Sequence, residues 1–172
     1  MNRVNLRPAG NDDLSLLRYW DQQPHIIQSD PDTDWEWEVE LPRNPAWREQ
    51  LIAEVAGRAI GFIQIIDPKL EDSHYWGDVD ANLRAIDIWI GEVDYLAQGY
   101  GTEMMHLAIG KCFDDPMVTA ILIDPLASNT RAHRFYQRLG FKFLEERYFE
   151  QDHCYVYQLL RSDYSYPDSN HN

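Results

Sequence analysis

Residues 84–113 read RAIDIWIGEVDYLAQGYGTEMMHLAIGKCF, and the order of signals in this stretch decides the fold. Ile86, Ile88 and Ile90 alternate with Asp87, Trp89 and Gly91, the period of a strand that lays one face on a core. Small residues then make a turn at Gln98-Gly99-Tyr100-Gly101-Thr102, and an apolar helical run follows to Asp114-Asp115-Pro116. Glycines at a strand-to-helix junction let backbone N–H groups approach a phosphate closely, and the helix dipole adds attraction. A dinucleotide fingerprint is not spelled here. G-x-G-x-x-G belongs early in a chain, after its first strand, whereas these glycines come late, with other spacing and no Walker lysine. Taken alone, the turn is equally a structural helix start.

Outward from this core, 118–123 (VTAILI) reads as a buried strand. Asn129 then caps a helix that runs to Leu139, and Gly140 stops it at the position after the C-cap. Residues 141–148 and 153–160 are two more strands. Upstream, 2–7 alternate like a short strand, and Asn11 is placed to cap a helix to Asp21 with Leu14, Leu17 and Trp20 inward. Residues 49–56 and 59–66 form a hairpin about Gly57-Arg58, and 67–82 are an irregular acidic loop. Residues 29–47 hold three prolines and are expected to be mostly loop, with a strand possible at 35–41. The whole is one domain over 1–162, followed by a tail at 163–172 expected to be disordered.

Two motifs together resemble the GNAT superfamily of acetyl-coenzyme A-dependent N-acetyltransferases: the glycine turn at 98–101 and N-x-x-A-x-x-x-Y-x-x-x-G-F at 129–141. The resemblance implies an α/β (α+β) GNAT acyltransferase fold. That is a mixed, mostly antiparallel central sheet flanked by helices, with a V-shaped splay between two central strands. Acetyl-CoA is then expected against Ile90, Gln98, Gly99, Tyr100, Gly101, Thr102, Asn129 and Ala132. Glu103 departs from the family turn, where glycine or alanine is usual. Within the superfamily, AIDIWIGE, ILIDPLASNTRAHRFYQRLGF and CYVYQL are most similar to aminoglycoside 6′-N-acetyltransferases. That likeness implies Asp87 as proton acceptor, Tyr136 as the group beside the departing thiol, and Asp80 and Asp124 as contacts to the substrate amines. Ile88 departs from those enzymes, which carry glutamine after the strand aspartate.

Each assignment has a plainer alternative. Asp87 sits in a strand, which disfavours aspartate, and a structural role would need a partner such as Arg84. Asp124 precedes Pro125 at a strand end, where turns often place aspartate. Asp80 lies in a loop of many acids, and Tyr136 fits the core face of a helix. The six histidines show no metal-ligand spacing, so no metal is expected.

Charge adds a separate clue. The net charge is −14, which argues against nucleic acid or an anionic membrane as partner. Residues 1–97 carry 8 basic and 19 acidic side chains, whereas 98–172 carry 7 and 10. Every even position from 30 to 40 in DPDTDWEWEVE is acidic, around Trp35 and Trp37. This run is either a solvated loop or a place where a cation docks. A polycationic aminoglycoside suits the second reading, with Trp35, Trp37 and Trp89 as candidate contacts. Other acyl acceptors stay open: a polyamine, a siderophore precursor or a protein N-terminus. A non-catalytic acetyl-CoA-binding module is the remaining alternative. The N-terminus has no apolar signal segment, no run is long enough to span a membrane, and the two cysteines make no framework. A cytoplasmic protein, monomer or homodimer, is expected.

Overall fold

The computed structural model describes residues 3–165. The strands are β1 (Val4–Pro8), β2 (Arg48–Val55), β3 (Arg58–Ile66), β4 (Leu83–Ile90), β5 (Ala120–Ile123), β6 (Lys142–Phe149) and β7 (Asp152–Leu160). They form one sheet in the order β1-β2-β3-β4-β5-β7-β6. All neighbours are antiparallel except β4 and β5. Those two strands pair only at Leu83↔Ala120, Arg84↔Ile121 and Ala85↔Leu122, while β4 runs on to Ile90. The sheet therefore parts between β4 and β5, the splay expected from the family resemblance.

Helices cover both faces, because each strand carries apolar residues of opposite parity. On one face α4 (Tyr100–Asp114) and α5 (Thr130–Arg138) pack with Ile63, Ile65, Ile86 and Ile121. Met104, Met105, Ala108, Ile109 and Cys112 supply the buried side of α4. On the other face α1 (Leu14–Asp21) and the single turn α3 (Trp37–Glu40) lie by Ile52 and Phe62, with Leu17, Trp20 and Trp37 buried, and α2 (Pro24–Ser29) packs on α1. The loop 67–82 closes the same face further along through Trp76.

Several boundaries differ from the sequence reading. Asn11 begins a 3-10 turn rather than capping α1, and Asp13 is the side chain that closes back on the Gly10 amide, at 2.9 Å. Residues 35–41 are not a strand: β2 already has β1 and β3 on its two edges, so no ladder position is open beside it. Residues 24–29 are helical where no helix was expected. Of the expected tail, Asp163 ends a 3-10 turn that begins at Arg161 and the Tyr164 ring lies 5.4 Å from Phe113, while 166–172 lie outside the described residues. The α5 limits match the reading: Asn129 Oδ1 accepts from Ala132 N at 3.1 Å, and Gly140 has φ +96°.

The junction after β4 requires glycine. The Gly91 amide bonds Ile60 O at 2.8 Å, and a β-carbon on Gly91 would sit 2.1 Å from the Trp20 ring. Trp20 is itself fully buried and donates its indole N–H to Glu92 at 3.0 Å. Gly91→Ala is therefore expected to lower stability by about 3 kcal/mol through overpacking, read as a lower urea midpoint at unchanged slope.

Candidate functional site

Where β4 and β5 part, a cleft of about 1450 Å³ opens. Asp87 reaches it because Ile86 and Ile88 take the α4 side of the strand and leave the alternate positions for the other face. Asp124 reaches it from the end of β5. Neither carboxylate has a cation partner among the described residues. Arg84, the expected structural mate of Asp87, pairs with Asp67 and Asp115 instead, both at 3.3 Å. Asp87 accepts from Gln64 Nε2 at 3.2 Å, and Asp124 accepts from the Tyr75 hydroxyl at 2.5 Å. Burial pushes both carboxyls above the ordinary aspartate range; the Gln64 and Tyr75 donors oppose this. The negative charge of Asp87 pushes Asp124 up further. Tyr136, buried on α5, lines the same space, and burial together with the two aspartates raises its phenol, so it stays protonated.

The other end of the cleft is built for phosphate. Gly99 takes φ +84°, a conformation that L side chains rarely adopt, and starts α4. The first amide of α4 that a backbone carbonyl satisfies is that of Glu103, bonded to Gly99 O at 3.2 Å. The amides of Tyr100, Gly101 and Thr102 precede it. Ile88, Ile90, Ala132 and Phe135 line an apolar stretch, and Arg131, Arg134 and Arg138 stand on one face of α5. Those three arginines make no ion pair among the described residues. Unclaimed amides, an apolar slot and three free guanidiniums fit the pyrophosphate, pantetheine arm and remaining phosphate of coenzyme A.

The structure sorts the sequence candidates. Asp87, Asp124, Tyr136, Trp35, Trp89, Ile90, Gly99, Gly101, Thr102, Asn129 and Ala132 all line the cleft. Gln98 and Tyr100 do not: the Gln98 amide donates to Asp94 O, and the Tyr100 ring lies under Arg3 at 4.2 Å. Asp80 is exposed in its loop, away from the cleft, and Tyr75 on that loop makes the contact instead. Trp37 is buried, donates to Asp21 at 2.6 Å, and supports Trp35 by stacking on it at 5.2 Å. Glu103 points away from the cleft, to Arg3 Nε at 2.7 Å, so the departure from the family turn tethers the start of the sheet to α4.

Sequence reasoning missed Gln64, Tyr75, His25 and the three α5 arginines. Gln64 had a signal, a lone amide in the apolar run AIGFIQII, and the arginines had helical i, i+3, i+7 spacing. Tyr75 and His25 had none. The His25 ring donates from Nε2 to Ile90 O at 2.8 Å, since a carbonyl can only accept.

Apart from Asp32, which is exposed and outside the cleft lining, the acidic run divides in two. Glu38 pairs with Arg18, and Glu40 pairs with Arg43 and Arg48, the latter at 2.6 Å. Asp30, Asp34 and Glu36 face the cleft without a cation.

A splayed mixed sheet with unclaimed amides at a helix N-terminus on one side and bare carboxylates on the other fits an enzyme that brings a phosphorylated donor to a cationic acceptor. The comparisons agree. The acetyltransferase (GNAT) domain family matches residues 10–149, and the chain belongs to that family. An aminoglycoside N(6′)-acetyltransferase type 1 of Klebsiella pneumoniae is 29% identical over 153 residues, 81% of this chain and 74% of that one. A lysine N-acyltransferase of Mycolicibacterium paratuberculosis is 26% identical over 155 residues, 82% of this chain and 66% of that one. The crystal structure of aminoglycoside acetyltransferase AAC(6′)-Ib with coenzyme A and kanamycin superposes with TM-score 0.81 at 25% identity, over 93% of this chain and 96% of that one. No helix among the described residues is long and apolar enough to cross a membrane.

The raised carboxyls carry a stability consequence. Between the unfolded aspartate value, ~3.9, and the raised folded values, the folded chain keeps protons that the unfolded chain has lost. Stability therefore falls as pH rises through that window. Asp124→Asn removes this penalty. Its melting temperature is expected to exceed the parent's by several degrees at pH ~8, with the gain gone near pH ~4.

Proposed function

We propose that the protein acetylates the 6′-amine of aminoglycosides, using acetyl-CoA, by direct transfer in a ternary complex. One observation carries the reading: seven cleft carboxylates, Asp30, Asp34, Glu36, Glu71, Asp87, Asp124 and Asp152, have no cation partner among the described residues. Like charges so gathered favour a ligand with several ammonium groups. The faces of Trp35 and Trp89, with ring centroids 5.0 Å apart, offer a wall for sugar rings and cations. A neutral metabolite would leave most of this charge unused.

The chemistry follows from the arrangement. Acetyl-CoA supplies the thioester, an acyl group already activated for transfer. The amines of an aminoglycoside are largely protonated at neutral pH, and the reacting one must shed a proton before it attacks. Asp124 and Asp87 hold it, and Asp87, raised toward neutrality, accepts the proton directly or through water. Tyr136, held protonated, donates to the departing sulfur. The α4 amides and the α5 arginines grip the phosphates and aim the thioester into the splay. The amides of Gly91 and Glu92 both bond Ile60 O, and the same alternation turns Trp89 to its partner Phe62 on β3, so of the 88–92 segment Ile88 and Ile90 are left to supply an oxyanion donor. The buried free thiols of Cys112 and Cys154 suit a reducing cytoplasm.

The test is thiol release from acetyl-CoA with kanamycin, tobramycin, spermidine and lysine. Aminoglycosides should turn over far faster than the others, and Asp87→Asn should lose about 100-fold or more in kcat/KM with KM for acetyl-CoA unchanged. Preference for lysine or spermidine would overturn the substrate and leave the reaction class standing. KM for the aminoglycoside should also rise steeply with salt, as expected for a polycation drawn to an acidic cleft. A salt-independent KM would contradict the electrostatic argument.

A further inference from the structure

We propose that Gln64, itself oriented by Gln50, is a positioning residue that keeps Asp87 ionised and aimed at the substrate amine. The inference deepens the acetyl-transfer reading above and rests on it. The three side chains stand on adjoining strands at directly paired positions, Gln50↔Gln64 and Gln64↔Asp87. Gln50 Nε2 donates to Gln64 Oε1 at 3.0 Å, and Gln64 Nε2 donates to Asp87 Oδ2 at 3.2 Å. All three line the cleft.

The logic lies in the two ends of an amide. A carboxamide offers a donor at one end and an acceptor at the other, and either can turn toward a neighbour. With its oxygen engaged by Gln50, Gln64 must present N–H to Asp87. Flipped, its oxygen would face the carboxylate and its NH₂ would face the NH₂ of Gln50, two repulsions at once. Gln64 is also the one polar side chain between Ala59 and Ile66, where an amide without partners would be costly. Every other group near Asp87 works against ionisation or is occupied. Asp30 opposes it by charge. Asp124, Tyr75 and Tyr136 couple to its charge and offer it no cation. Among the cleft's bases, His25 is bonded to Ile90 O, Arg43 and Arg48 are held by Glu40, and the three α5 arginines stand at the phosphate end. Among the described residues, Gln64 favours the carboxylate, and Gln50 holds the oxygen end of Gln64 so that its N–H end stays on Asp87.

The decisive experiment is a carbon-13 NMR titration of aspartate carboxyls in the full chain, with Asp87→Asn identifying the resonance. In Gln64→Leu the proton affinity of Asp87 should rise about tenfold. In Gln50→Leu it should rise by less, since Gln64 remains but is free to flip. The double variant should match Gln64→Leu, because Gln50 acts through Gln64. The acidic limb of kcat/KM for the amine should move by the same increments, with KM for acetyl-CoA unchanged. Gln64→Met serves as a second probe should the leucine variant fail to fold. An unmoved Asp87 titration in either Gln64 variant overturns the proposal, as do additive shifts from Gln50→Leu and Gln64→Leu. If the titration shifts but the parent acetylates no amine, the relay stands and the functional reading falls; the reverse pattern sinks the relay alone.

Discussion

After Ala85↔Leu122, β4 and β5 make no further pairs, although β4 continues to Ile90. An unpaired strand edge inside a sheet leaves backbone polar groups that must find other partners. His25 takes one of them, the carbonyl of Ile90, at 2.8 Å. The others are open to the cleft. The same parting turns the ends of the two strands apart, so Asp87 and Asp124 meet in the floor rather than in a closed ladder. It also leaves room for the N-terminus of α4, reached from β4 by the turn through Gly91 and Gly99. Gly91 lets the turn pass against Trp20, and Gly99 supplies the left-handed residue that starts the helix.

The cleft is electrically divided. At one end stand bare carboxylates and indoles; at the other stand helix amides and three arginines with no ion pair among the described residues. A thioester cofactor with several phosphates and an amine with several positive charges would each be drawn to its own end, and the reacting atoms would meet between them. Such an arrangement does not stabilise the fold. Asp87 and Asp124 sit where burial and mutual repulsion penalise their ionised forms. Sites kept at some expense of stability are the ones a functional demand maintains. The neutral donors Gln64 and Tyr75 moderate the penalty without cancelling the charge a substrate needs.

Local chemistry marks which parts were legible. The strand 84–92, the glycine turn, the α5 cap at Asn129 and its stop at Gly140 were readable because each depends on neighbours within a few residues. The acidic run was legible as a charge pattern but not as a shape. Its alternation suggested a strand, and it folds as an irregular segment ending in one helical turn, because the sheet offers no free edge there. Trp35 and Trp37 looked equivalent in sequence. Stacking puts Trp37 underneath, against Asp21, and leaves Trp35 on the cleft wall.

The sequence by itself determined the strand-turn-helix core, the class of chemistry its motifs imply and the excess of negative charge. Periodicity, helix capping and net charge are properties of short segments or of composition, and they survive without knowledge of what packs where. The tertiary structure decided the rest. It assigned Arg84 to Asp67 and Asp115 and so left Asp87 bare, and it moved Asp80 out of the site and Tyr75 into it. It also lined up Gln50, Gln64 and Asp87 across three strands. These are pairings between residues far apart in the chain, set by register and by which strand lies beside which, and no local pattern encodes them.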